Sequence, residues 1–232
     1  MPIQNKENLR DKVKENIIFS EGRFRYAFDK GYGFTKKEGG KEVSIEELIA
    51  LFYALEEKGC ANINFVTPEH YSASILEAMR RARERGFSLP FVWNSSGYQR
   101  AKVLKEFSGL IDIYLLDFKY WDRSTAERYS KAGNYPEVAK EALEEAVRQC
   151  PELVFKEGIL QKGVILRHLL LPGQVRQGKC ILKYSFGRYR NRILYSLLSQ
   201  YTPFGDLQDY PEINRKVYGK EYERFTDYAL NL

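Results

Sequence analysis

The sequence predicts an α/β protein, a partial (βα)6 TIM-type barrel with a parallel sheet covered by helices. Three observations carry that expectation. Short runs rich in apolar and β-branched residues recur along the 232-residue chain. Segments with apolar residues at helical spacing separate them, and the runs are near-continuously apolar, as in strands buried on both faces. Six such runs are too few for an eight-fold barrel, so an open barrel is preferred over a doubly wound sheet. The length suits a single domain over residues 1–232.

The elements follow in order. The first strand is the short run Asn16-Ile-Ile-Phe19. Ser44-Ile-Glu-Glu47 is a capping box: the Ser hydroxyl accepts from the backbone and the Glu reaches back. Ile45, Leu48, Ile49, Phe52 and Leu55 then share one helical face, and Gly59 ends the helix. "NINFVTP" is a second strand stopped by Pro68, and "YSASILEAMRRARERG" is its helix, closed by Gly86. "PFVWNSSG" and "QRAKVLKEFSG" repeat the unit. "IDIYLLDFKY" is a fourth strand, followed by a mostly helical stretch from Arg123 to Cys150. "GVILRHLLLPG" is a fifth, "ILYSLLSQYTP" a sixth, and "KEYERFTDYALNL" the closing helix.

Composition narrows the function classes. No stretch approaches 18 consecutive apolar residues, and "MPIQNKENLRDKVKEN" has no apolar run, so neither a membrane span nor a secretory signal is expected. The expected compartment is the cytoplasm. Cys60, Cys150 and Cys180 are too few and too scattered for a disulfide framework or a close-spaced metal motif. A net charge of +6 permits an anionic ligand or partner without demanding one.

In parallel α/β folds the site lies at the carboxyl ends of the strands, where the following loops converge. The polar residues there are Thr67, Glu69 and His70 after the second strand, and Asn94, Ser95 and Ser96 after the third. Asp117 and Lys119 belong to the fourth, Arg167 and His168 to the fifth, and Ser199, Gln200 and Tyr201 to the sixth. Both histidines of the chain fall in this set. Asp117, Lys119 and His168 are the candidates for chemistry. Asp117 and Lys119, two apart on one strand, point to the same side and equally read as a structural ion pair lining the barrel. Arg167 has the strongest claim to a ligand, because a guanidinium at a strand's carboxyl end needs an anion.

The segments "GCANINFVTPEHY", "VWNSSGY", "DIYLLDFKY", "YSKAGNYPEVAKEA", "RHLLLPG" and "SQYTPFGDLQDYPEINRKV" resemble, in order, the strand-end motifs of the radical S-adenosylmethionine (SAM) superfamily. The resemblance is to its pyruvate formate-lyase activating enzyme-like branch and runs from about Asn16 to the C-terminus. In that family the loop after the first strand carries Cys-x3-Cys-x2-Cys, whose thiolates hold a [4Fe-4S] cluster. Aligned with that loop, "GRFRYAFDKGYGF" puts Gly22, Tyr26 and Asp29 at the three cysteine positions. Glycine, a phenol and one hard carboxylate do not replace three thiolates. The resemblance therefore implies the fold without the [4Fe-4S] cluster and without the 5′-deoxyadenosyl radical. A pocket for SAM or a related nucleoside is expected to persist. Thr67 and Glu69 would meet the methionine end, beside His70, and Arg167 would clamp its carboxylate by a charge-assisted pair. Asn94 and Ser96 would contact ribose or carboxylate, and the backbone near Gln200 and Tyr201 the adenine.

Other readings use the same residues. An active radical enzyme with unconventional cluster ligands is one. A metal site drawn from Asp29, Glu69, His70, Asp117 and His168 is another, opposed by strand alternation, which makes neighbours such as Glu69 and His70 diverge. A third is a binding or scaffold barrel for a protein partner or for nucleic acid. Residues 174–192, "QVRQGKCILKYSFGRYRNR", carry six basic residues and no acidic one where a covering helix is expected. A solvated or irregular helix is the simpler account of that segment, with Gly178 and Gly187 weakening its helicity.

Overall fold

A computed structural model of the protein describes Ile17–Ile18 and residues 43–232. Strand β1 (Ile17–Ile18) is the short first run, and helix α1 (Ile45–Glu57) opens on the expected capping box. Glu47 N donates to Ser44 Oγ at 3.2 Å while Ser44 N donates to the Glu47 carboxylate at 2.8 Å, which satisfies two backbone donors that the helix leaves open. Then follow β2 (Ile63–Val66), a 3₁₀ turn (Pro68–Tyr71), α2 (Ser72–Glu84), β3 (Phe91–Ser95), α3 (Ala101–Glu106) and β4 (Ile113–Asp117). The chain continues through α4 (Arg123–Ser130), α5 (Tyr135–Gln149), β5 (Val154–Lys156), β6 (Ile159–Leu169), α6 (Val175–Tyr189), β7 (Leu194–Leu198) and α7 (Gly219–Leu230).

β1, β2, β3, β4, β6 and β7 pair in that order, each parallel to the next. Strand order and chain order therefore run together. A doubly wound sheet reverses direction at a switch point; this sheet has none, and crossovers of one hand put the helices on one face. That is the winding of a barrel, with six parallel strands among the described residues. The covered face is apolar. Phe65 and Phe91 pack on Phe52 of α1, Trp93 lies 4.6 Å from Phe107, and the Tyr114 hydroxyl donates to Gln149 of α5 at 2.8 Å. Trp93 and Tyr114 are fully buried, and aromatic side chains of this size each contribute roughly 2–3 kcal/mol by leaving water.

Three features depart from the sequence expectation. β5 is an added antiparallel strand, joined to β6 by Glu157 and Gly158 at φ 52° and 79°, the left-handed pair of a two-residue hairpin loop. The helical stretch after β4 is two helices, broken after Ser130 where Lys131 takes φ 51°. Residues 175–189 form a regular helix despite their glycines. Gly178 is there for packing: a Cβ on it would lie 2.6 Å from the Phe225 ring of α7 and 3.0 Å from His168 Nε2. The absent side chain lets α7 and β6 close against α6, around a small second core of Leu170, Leu182 and Phe225.

Candidate functional site

The site is built where the parallel strands end. β4 and β6 are in register so that Asp117 lies opposite Arg167. Both side chains turn to the uncovered face of the sheet, and Arg167 Nε donates to Asp117 Oδ1. Arg167 Nη2 donates to Asn94 Oδ1 of β3 at 3.0 Å, and Lys119 Nζ stands 3.5 Å from the second Asp117 oxygen. Four of the predicted residues thus form one connected cluster spanning three strands. The guanidinium is held in plane by two acceptors, which fixes its direction.

Beside the cluster is a cavity of about 410 Å³, within the size range of small-molecule sites. Asp117, Lys119 and Arg167 make its charged end, Leu169, Leu171 and Leu198 its apolar wall, and Tyr120, Gln200 and Tyr201 complete it. Burial raises the Tyr120 and Tyr201 phenols above their ordinary range, so both rings are neutral and offer stacking surface.

Residues with no obvious chemistry hold the strand ends together. The Tyr135 hydroxyl, at the start of α5, lies 2.8 Å from the Ser96 carbonyl and 3.1 Å from that of Asp117, and it accepts from Lys119 N at 2.9 Å. It is buried, and desolvation puts its pKa well above the usual phenol value, so it keeps its proton. Gly97, at φ 75°, comes so close to the Asp117 carbonyl that any Cβ would overlap it. Ser95 Oγ accepts from Gly97 N at 3.0 Å and fixes the same turn.

The turn after β2 is arranged differently. Thr67 N donates to the Asn94 carbonyl at 2.9 Å, and Thr67 takes φ 53°, ψ 52°. A β-branched residue there is strained by roughly 1–3 kcal/mol. Glu69 follows with both carboxylate oxygens closed off from solvent and no well-formed hydrogen bond among the described residues. Desolvation raises its pKa, against smaller opposing effects of its own backbone N–H and the nearby Ser95 and Ser96. Thr67 and His70 are exposed. Thr67, Glu69, His70, Asn94 and Ser96 do not line the cavity; Asn94 reaches it only through Arg167.

His168 points away from it. Alternation along β6 sends its side chain to the helix-covered face, where it is 2% exposed, with Nδ1 2.6 Å from the Phe118 carbonyl and its ring 5.4 Å from that of Phe225. The carbonyl requires the proton on Nδ1, so buried Nε2 has no partner among the described residues. Burial lowers the pKa of the ring. The candidate catalytic histidine is therefore a packing residue, because residues 167 and 168 of one strand cannot both face the cavity.

Gly22, Tyr26 and Asp29 lie outside the described residues, and with them the loop that the resemblance aligns to the cluster motif. Among the described residues no group of three His, Cys, Asp or Glu side chains is placed to hold a metal ion. Cys150 sits near the amino end of β4, with Sγ 3.4 Å from the Asp112 carbonyl and its thiol pushed up to about 11 by burial. Cys180 lies on α6.

The basic residues of α6 are largely engaged with their surroundings. Arg176 approaches Asp122 at 3.5 Å, Arg188 donates to Glu144 at 2.6 Å, and Lys179 Nζ stands 5.0 Å from the Tyr228 ring. No helix among the described residues is long and apolar enough to cross a membrane.

The sequence missed Tyr120, Leu169, Leu171 and Leu198 as lining residues. Leu169 was accessible from the two-residue period starting at Arg167, and Leu198, the last residue of β7 and its register partner, from the same period through Gln200; Tyr120 and Leu171 depend on how the loops fold back.

No family model matches the chain. It is 28% identical over 173 residues to Uncharacterized protein MJ0674 of Methanocaldococcus jannaschii, a match covering 72% of this chain and 46% of that one. The chain thus spans less than half the length of that relative. A probable 2-pyrone-4,6-dicarboxylic acid hydrolase from Acinetobacter baumannii overlays on 86% of this chain and 61% of its own at a TM-score of 0.37 and 10% identity.

Proposed function

We propose that this protein is a ligand-binding barrel of the radical SAM type that works without a [4Fe-4S] cluster and takes SAM or a related nucleoside at the carboxyl ends of its strands. The observation that carries the reading is the Asp117–Arg167–Asn94 cluster at the charged end of a 410 Å³ cavity. An arginine pre-oriented by two acceptors suits the carboxylate of an amino-acid moiety, and the leucine and tyrosine walls suit a nucleoside. Lys119 adds a second cation at the same end. No side chain is asked to make or break a covalent bond; binding is the function.

Titration calorimetry of metal-free protein with SAM tests it. Saturable heat with a stoichiometry near one supports the reading, and no heat at millimolar ligand counts against it. The nucleic-acid alternative draws less support, because four of the six basic residues between 174 and 192 have an acidic or aromatic neighbour of their own. A mobility shift that is lost as salt rises would favour it instead.

A further inference from the structure

We infer that the strand-end pocket selects its ligand by charge: it accepts a carboxylate or phosphate and disfavours a ligand of net positive charge, so among adenosyl nucleosides it prefers a thioether to a sulfonium. This rests on the nucleoside reading above and names the member of that class.

Donors outnumber uncommitted acceptors at the charged end. Asp117 is the one carboxylate lining the cavity among the described residues, and it is already committed to Arg167 on one oxygen and to Lys119 at 3.5 Å on the other. Asn94 Oδ1 is committed to Arg167 as well, which turns Nδ2 of the same side chain, a donor, away from that bond. Donors remain: Arg167 uses Nε and Nη2 in these bonds and keeps Nη1, and Lys119 has three ammonium protons for one long contact, its side chain 42% exposed. Among the described residues, two cations against one anion leave one positive charge uncompensated at the mouth of a half-buried site. Glu69, in the turn after β2, is outside the lining and has a raised pKa. A ligand cation entering here meets, among the described residues, no uncommitted carboxylate of the lining and one excess like charge.

The two nucleosides differ in that respect. SAM carries a carboxylate, an ammonium and a sulfonium, for a net charge of +1; S-adenosylhomocysteine lacks the sulfonium and is neutral overall. Both offer the same carboxylate to Arg167. The pocket therefore distinguishes them at the sulfur, through the field of Lys119 and Arg167.

Calorimetric titration of the full chain with four probes tests this. S-adenosylhomocysteine and SAM compare the two sulfur charges, 5′-methylthioadenosine lacks the amino-acid carboxylate, and adenosine 5′-monophosphate replaces that carboxylate by phosphate. We expect S-adenosylhomocysteine to bind about fivefold more tightly than SAM at low salt, as one like-charge contact at roughly 8 Å in a half-screened site implies. Methylthioadenosine should bind more weakly than S-adenosylhomocysteine. The monophosphate should likewise bind more tightly than methylthioadenosine, and methylthioadenosine binding as tightly as both would overturn the preference for an anionic group. Lys119→Gln should bring the thioether-to-sulfonium ratio to within about twofold of unity, because it removes the excess cation. Binding of SAM as tight as, or tighter than, its thioether overturns charge selection and leaves the nucleoside reading standing. No heat with any of the four overturns both.

Discussion

Asp117 and Arg167 are register partners on neighbouring parallel strands, and their side chains meet as an ion pair on the open face of the barrel. Each is less than one-third exposed, so the pair belongs to the structure as well as to the pocket. Removing one member leaves a half-buried charge without its counterpart. Asp117→Asn should destabilise the fold by about 1–3 kcal/mol, less than a fully buried pair because solvent screens part of it. In a double-mutant cycle with Arg167→Gln, read from urea unfolding, the two losses should be coupled; simple additivity would show that the pair contributes nothing jointly.

Gly97 and Gly205 both have positive φ, at 75° and 78°, yet of the two only Gly97 has neighbours within 4 Å of the point a Cβ would occupy, the Asp117 carbonyl among them. Gly205→Ala should cost about 1 kcal/mol, the left-handed penalty alone. Gly97→Ala should cost roughly 2–4 kcal/mol, because the β3 and β4 ends must also separate. Equal shifts of the unfolding midpoint would contradict the close approach.

The two glycines of α6 separate in the opposite sense. Gly187 has nothing within 4 Å of a Cβ, and Gly187→Ala should stabilise by about 0.5–1 kcal/mol through helix propensity. Gly178→Ala gains the same propensity but drives a methyl into Phe225 and His168, and should lose about 1–3 kcal/mol net. Thermal unfolding of the two variants beside the parent checks both signs.

Protonation of His168 gives the fold an acid sensitivity. Its folded pKa lies below the ordinary 6.5, so below that pH the unfolded chain binds a proton that the folded chain resists. The contribution of the neutral ring is complete above 6.5 and is lost as pH falls, until the folded state protonates too. Glu69 acts in the opposite sense. Its raised folded pKa favours the fold below 4.5, and that contribution is lost as pH rises through the folded value. Comparing the parent with His168→Gln cancels Glu69. Between pH 7.5 and 5.5 the parent should lose more stability than the variant, and identical pH profiles would refute the role.

Much of this was legible in the sequence, for identifiable reasons. The capping box at Ser44 and the apolar strand runs report local physics, and they sufficed for six parallel strands and for the rim on which Asp117, Lys119, Arg167, Gln200 and Tyr201 lie. The two-residue period also predicted that Asp117 and Lys119 share a side. The same period separates Arg167 from His168, which face opposite ways although both stand at the end of one strand. Glu157 gave little turn signal, because hairpin loops are usually marked by Asn or Asp before Gly, so β5 went unseen. Gly178 read as a helix weakness because propensity contains no information on Phe225, 47 residues further on. Tyr135 binds two strand ends by hydrogen bonds that exist only once the fold is complete.

The decisive measurement for a pocket anchored on Arg167 is calorimetric titration of the metal-free parent and of Arg167→Ala with S-adenosylhomocysteine. One site per chain is expected in the parent and at least a tenfold weaker site in the variant, the effect of losing a charge-assisted contact worth roughly 1.5–3 kcal/mol. Absence of binding to the parent, or equal affinity in a folded Arg167→Ala protein, would contradict it.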